Sequence, residues 1–401
     1  MYAVALYDYY SAIQINKEGT HLVKNTINEI VDYINQMNSR RNMVLIIIML
    51  VMAGGILCII GRPEIKTRVL QDPENGGETL YPEMEIISEY SDIKQDSEFR
   101  GLWVVRTSMQ SQESIEQIIS RAVEGNFNAI LVQINGRGEA YYESDIVPKM
   151  PNISKGFDPL AFCIQKAHYN DLQVHAWINA FTVGVLGTKD YQEDHVLTKH
   201  PEWSLVDSDL ISTFDYTPGM GRSELVSVML DPAIEGVKNY IRDVATEVVS
   251  NYDVDGIHFD YIRYPGRNYG YGQIARDKFL GLTGYDPVEL LNKTESINSG
   301  AIDEEDYIRD IGDKWDEFRQ DQVTEILRRS YFNIKNIKPD VLVSCAVFPN
   351  ANDSRNLKMQ NWQSWIEEGI VDFVVPMAYT PDTQVFKEHM ENVIKVSSST
   401  P

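Results

Sequence analysis

One stretch decides the fold: Asn251-Tyr-Asp-Val-Asp-Gly-Ile-His-Phe-Asp-Tyr-Ile-Arg-Tyr-Pro265. Side chains alternate along a strand, so Ile257 and Phe259 point one way and His258 and Asp260 the other. A strand of a parallel sheet covered on both faces is normally apolar throughout. Here one face carries an imidazole and a carboxylate, which are costly to bury without partners. A helical pattern over 232–250 precedes the strand, and a Tyr-Pro stop with a glycine-rich loop follows it. A carboxylate at the C-terminal end of such a strand stands where β/α barrels keep their chemistry.

Working outward, the chain from Phe99 alternates strand and helix patterns. Strands are expected over 101–106, 129–134, 174–181, the stretch above, 341–348 and 372–379. Helical patterns cover 111–125, 157–170, 232–250, 315–335, 357–368 and 385–396. Repeated β/α units with right-handed crossovers give a parallel sheet, either doubly wound or closed. Polar residues stand at every strand end rather than at one switch point, which favours a TIM-type (β/α) barrel. Such a barrel needs eight strands and six are present before Pro401. The expectation is therefore a truncated barrel with an open seam between its first and sixth strands.

The N-terminal part differs in kind. Residues 1–42 form a tail with one helical stripe, Ile27, Ile30, Val31 and Ile34. Residues 43–60, MVLIIIMLVMAGGILCII, are uncharged and long enough to cross a bilayer as a helix. Basic residues flank both ends, so charge alone does not set the orientation. Residues 61–98 combine proline, glycine and acids in the manner of a flexible acidic linker. This gives a single-pass membrane protein whose globular domain, 99–401, is expected outside the cytoplasm.

The chain has 401 residues, 43% of them hydrophobic, enough for a large core. A formal charge of −23 repels phosphate backbones and argues against nucleic-acid binding. Cys58, Cys163 and Cys345 show neither metal-ligand spacing nor a disulfide framework and read as small buried residues. No metal or organic cofactor is implied.

The strand ends supply the chemistry. The second offers Gln133, Asn135, Arg137 and Glu139, and the third alternates His175, Trp177 and Asn179 with apolar neighbours. The fourth gives His258, Asp260 and Arg263, the fifth Asn350 and Asp353, and the sixth Tyr379 and Asp382. Rings that stack on sugars, beside amides and charged groups that bind hydroxyls, suit a polysaccharide. Hydrolysis of a glycosidic bond needs two carboxyl groups. Asp260, flanked by His258 and Arg263, is tunable as acid or nucleophile. His175, His258 and Trp177 also fit a structural role in the core, and Asp255 reads as a structural acid at the strand's entry.

The stretches FRGLWVV, Gln133-x-x-x-Arg137-Gly-Glu-Ala-x-Tyr142, VHAWINAF, HPEW (200–203), LDP, VDGIHFDYIRYPG and VVPMAY, in this order, resemble the glycosyl-hydrolase-like 10 family. The resemblance covers the whole globular part. It implies a (β/α)8-barrel glycosidase of the cell envelope or exterior, with some members linked to peptidoglycan glycan strands. The family's acidic motif on the fourth strand falls on Asp260. Its second-strand loop usually ends in aspartate and here carries Glu139, so Asp260 and Glu139 are the expected catalytic pair. Arg137, Tyr142, His175, Trp177, Asn179, His258, Arg263 and Tyr379 are the expected substrate-binding residues. A weaker likeness to family 18 chitinases stops at Asp255, Gly256 and Asp260, because Ile262 replaces their catalytic glutamate. The competing function is a glycan-binding or scaffolding protein without turnover, and a metal-dependent deacetylase is a weaker third.

Overall fold

The computed structural model describes residues 66–71, 78–83, 98–217, 220, 224–289, 291 and 302–398. The expected tail helix and the expected span 43–60 lie outside the described residues. Among the described residues no helix is long and apolar enough to cross a membrane. Within the span expected to be a linker, β1 (Lys66–Gln71) and β2 (Glu78–Glu83) pair antiparallel, Lys66 opposite Glu83 and Val69 opposite Leu80. The intervening Asp-Pro-Glu-Asn-Gly-Gly is rich in turn formers. This hairpin belongs to a first compact unit, and residues 98–401 form a second.

The second unit is built on six parallel strands: β3 (Gly101–Val104), β4 (Ala129–Asn135), β5 (Gln173–Asn179), β8 (Gly256–Asp260), β9 (Leu342–Val347) and β10 (Phe373–Pro376). Their order across the sheet is their order in the chain. No reversal occurs, which excludes the doubly wound alternative and gives a curled half-barrel of the TIM type. The curl is visible inside it. Phe99, before β3, reaches within 5.1 Å of Phe373 on β10, and Trp103 within 6.0 Å of Tyr379 (ring centroids). β6 (Thr182–Gly184) and β7 (Val228–Met229) add a small antiparallel pair within the long loops between β5 and β8.

Parity along the strands separates two environments. Ile130, Val132 and Ile134 of β4, Val174, Ala176 and Ile178 of β5, and Ile257 and Phe259 of β8 are almost wholly buried in the main apolar core. Helices cover that face. The helix Gln112–Glu124 is capped by Ser111, whose hydroxyl accepts from the Ser114 N–H, and buries Ile115, Ile119 and Ala122 at helical spacing. The helix Glu235–Asn251 presents Val237, Ile241, Val244, Ala245 and Val248 in the same manner. The long helix Ile302–Ile337 begins well before the expected 315, and a helix at Gln273–Thr283 lies where no periodic pattern was evident.

A repeated device fixes the strands at their N-terminal ends. The residue just before a strand accepts a hydrogen bond from a backbone N–H at the start of the adjacent strand. Asn128 takes that of Arg100 at 2.8 Å, Asp255 that of Val174 at 2.7 Å, and Asp372 that of Val343 at 2.6 Å. Asp255 also meets the His168 ring at 2.8 Å, as expected of a structural acid. Cys163 and Cys345 are buried free thiols, the former pushed up to about 12 by burial.

Candidate active site at the mouth of the half-barrel

The other parity fills the barrel interior in levels. At the bottom, the His175 ring lies edge-on to Phe99 and Phe373, at 5.3 and 5.9 Å. Gly256 faces it across the strand pair, and a Cβ there would collide with the imidazole. This explains the glycine in Val-Asp-Gly. Burial holds His175 at about 4, so the ring is neutral. His175 is therefore a core side chain remote from the mouth, because it sits at the N-terminal half of β5.

Above it, His258 packs between Trp103 and Trp177, at 5.9 and 6.4 Å between ring centroids. Its Nδ1 pairs with the Ser344 hydroxyl at 2.9 Å. Burial lowers its pKa to about 3, with His175 adding a smaller push in the same direction. Both imidazoles thus remain uncharged at neutral pH and lend no counter-charge to the acid above them.

The top level carries Asp260, aligned with Asn179 across β5 and β8. Asp260 is 8% exposed. Burial raises its pKa, and Arg263, the Tyr261 N–H and Trp177 oppose the rise. Its Oδ1 accepts from the Tyr261 N–H at 2.6 Å and lies 3.4 Å from Arg263 Nη1. Tyr261 adopts φ +51°, an uncommon conformation for a bulky residue. That turn places the Tyr261 ring 4.5 Å from the Arg263 guanidinium, while Phe348 flanks it at 5.0 Å. Tyr379 is 74% exposed, with its ring edge-on to Trp103 at 6.0 Å.

An amide network links this acid to the loop after β4. Asn179 Oδ1 accepts from Trp177 Nε1 at 3.0 Å and from Gln133 Nε2 at 3.2 Å. Asn179 Nδ2 donates to the Gly136 carbonyl at 3.1 Å, and Gln133 Oε1 accepts from Arg106 Nη1 at 3.0 Å. A Cβ at Gly136 would approach Arg106 Nη1 to 2.7 Å. Gly138, at φ +70°, sits under His195, whose Nε2 is 2.9 Å from the Arg137 carbonyl. Arg137 itself is exposed. Glu139 is half-buried, its pKa raised by burial and opposed by Arg106 and Arg137.

Trp177, Asn179, His258, Asp260, Arg263 and Tyr379 thus come together. Arg137 and Glu139 occupy the adjoining loop and share Arg106 as their link to the network. Tyr142 does not join them. It is fully buried, edge-on to Tyr252 at 5.8 Å, with its hydroxyl 3.4 Å from Glu247 of the helix Glu235–Asn251. It lies three residues beyond Glu139, where the chain has turned back towards the helical layer. Trp103, Gln133 and Arg106 complete the site. Gln133 is among the strand-end candidates of the sequence; Trp103 is not, and its inward parity on β3 is the one sequence signal that could have found it.

Residues 98–400 match the family described as Glycosyl hydrolase-like 10. The chain belongs to that family. The glycosyl hydrolase-like 10 chain is 26% identical over 325 residues to the glycosyl hydrolase YngK of Bacillus subtilis, covering 72% of this chain and 55% of that protein. It is 25% identical over 309 residues to the glycosyl hydrolase DigH of Escherichia coli K12, covering 69% and 60% respectively. The chain thus spans little more than half the length of these relatives. The glycoside hydrolase domain of PgaB (BpsB) from Bordetella bronchiseptica shares the fold at TM-score 0.50 and 11% identity, over 76% of this chain and 81% of that domain.

Proposed function

We propose that this glycosyl hydrolase-like 10 chain hydrolyses glycosidic bonds of a cell-envelope or extracellular polysaccharide, with peptidoglycan glycan strands the leading candidate. Asp260 acts as the general acid or nucleophile. The observation that supports this most is a buried carboxyl at the C-terminal end of a central barrel strand, raised by burial yet held against a guanidinium. Such opposing influences are the means by which a carboxyl is tuned for proton transfer. Glu139, also raised by burial, is the candidate second carboxyl. Trp177 and Tyr379 supply ring faces, Asn179 and Arg137 supply polar contacts, and residues 43–60 anchor the chain with its barrel outside the cytoplasm.

A glycan-binding role without turnover is the second reading. It draws on one feature: Arg106 and Arg137 act on Glu139 while Arg263 acts on Asp260, so each acid has its own cationic neighbour. Incubating the full chain with purified cell-wall glycans and identifying new reducing ends distinguishes the two. Hydrolysis that Glu139→Gln lowers by about a hundredfold supports the acid pair. Binding without any new reducing ends supports the scaffold and rules out the enzyme.

A further inference from the structure

We propose that Arg319, on the long helix Ile302–Ile337, is a positioning residue that holds Arg263 against Asp260 through the loop after β8. Arg319 is 1% exposed. Its Nη1 donates to two loop carbonyls, Arg267 O at 2.7 Å and Tyr269 O at 2.6 Å. Its Nη2 pairs with Asp316, which also holds Arg267. The faces of Trp315, Tyr264 and Tyr271 surround the guanidinium at 5.1, 5.8 and 5.8 Å. Gly270, at φ +103°, lets the backbone close on it, since a Cβ there would stand 3.0 Å from Arg319 Cδ. A buried guanidinium is costly unless its donors are matched. Here the two terminal nitrogens meet two carbonyls and a carboxylate at once, while Nε has no hydrogen-bond partner among the described residues.

The segment so gripped is the direct continuation of the strand that carries Asp260. Between them, the Tyr264 N–H donates to the Lys358 carbonyl at 2.9 Å, and Lys358 Nζ donates back to the Pro265 carbonyl. The loop is therefore held at four backbone groups, those of Tyr264, Pro265, Arg267 and Tyr269, and Arg263 rides on its first turn. The Arg263–Asp260 contact, at 3.4 Å, is looser than a tight charge-assisted bond. Its strength consequently follows the placement of the loop. The other groups bearing on Asp260 are the Tyr261 N–H beside it, Trp177 from β5, Cys345 from β9 and Tyr379 after β10, while the neutral His258 stands below it on the same strand. Arg263 is the cation among them. Loosening Arg319 should therefore raise the Asp260 pKa, because a carboxyl that loses a nearby cation holds its proton to higher pH.

The inference rests on the reading of Asp260 as the catalytic carboxyl, but its test reads the carboxyl itself. The full chain is labelled with 13C at aspartate carboxyls, and the Asp260 resonance is assigned by its loss in Asp260→Asn. Arg263→Gln should raise the Asp260 pKa by about one unit. Arg319→Lys, whose ammonium lacks the fork, should raise it by a comparable fraction of that shift. The double variant Arg263→Gln/Arg319→Lys should titrate where Arg263→Gln does, since both act through one contact. In turnover assays the limb of the pH profile assigned to Asp260 should move up with the same order. Asp316→Asn, which frees both arginines while keeping shape, carries the same expectation if Arg319→Lys fails to fold. An unmoved Asp260 titration in the folded Arg319 or Asp316 variants, or additive shifts in the double variant, would overturn the proposal. Retained turnover in Asp260→Asn would instead overturn the catalytic reading and leave the titration result standing.

Discussion

The two ends of the half-barrel use the same kinds of polar residue for opposite purposes. At the N-terminal end, Asn128, Asp255 and Asp372 each take a backbone N–H from the adjacent strand, so their polar groups are consumed in holding the sheet. Directly above them the interior is closed by Phe99, His175 and Phe373. At the C-terminal end, Asp260 accepts from the Tyr261 N–H and has one long contact to a guanidinium, and Tyr379 stands largely in solvent. An acid that caps a strand stabilises, whereas the acid at the mouth is held by a backbone N–H of its own loop and a long contact to a guanidinium, with its other side turned to the open end of the barrel. Asp255, just before β8, and Asp260, at its end, are the two cases at the two ends of one strand.

The comparison is most sharply broken at the floor. Gly256→Ala drives a methyl into the His175 ring. A loss of about 3 kcal/mol is expected, the upper range for overpacking a core, and urea unfolding of the full chain measures it. A Gly256→Ala chain of ordinary stability would mean that the floor is not closed.

Acid offers the next test. His175 and His258 have folded pKa values of about 4 and about 3, below the unfolded 6.5. The unfolded chain therefore binds protons first, and stability should fall as pH drops from about 6.5 towards 4. Asp231, raised to about 6 by burial, works the other way by favouring the folded state as it protonates. The two histidines outweigh it, and Asp260 and Glu139, also raised by burial, oppose them as Asp231 does, which leaves a net loss on the order of 2 kcal/mol between pH 7 and pH 4.5. Replacing His175 by Phe should remove roughly half of the histidine contribution, which denaturation at both pH values would reveal.

The smallest effect belongs to the strand-capping acids. Asp255→Ala strands the Val174 N–H and the His168 ring, at a cost of about 1–2 kcal/mol. Turnover per folded molecule should be unchanged. A variant with intact stability and lost turnover would place the chemistry at the wrong end.

Much of this contrast was legible in the residues. Strict alternation in Val-His-Ala-Trp-Ile-Asn and Gly-Ile-His-Phe-Asp placed the inward side chains correctly, because a strand has only two faces. Strand order followed from polar residues recurring at every strand end. Parity could not rank depth, so His175 and Asn179 looked alike although one lies at the floor and the other beside Asp260. Tyr142 was expected through the family motif alone, and a motif position beyond a glycine-rich turn does not say which way the ring points; here it points into the helical layer. Arg319 gave no signal at all, since an arginine in a charged helical segment looks solvated until its partners, some fifty residues away, are known. The β1–β2 hairpin was masked by prolines and acids that dominate the composition around it.

Turnover by Asp260→Asn tests the central claim most directly. The substitution keeps size and hydrogen bonding but removes proton transfer and nucleophilic power. Release of reducing ends from cell-wall glycan should drop by about a hundredfold or more, while the same glycan still binds and thermal unfolding is little changed. Full turnover by a correctly folded Asp260→Asn chain would contradict the assignment and leave this acid a structural anchor for Arg263.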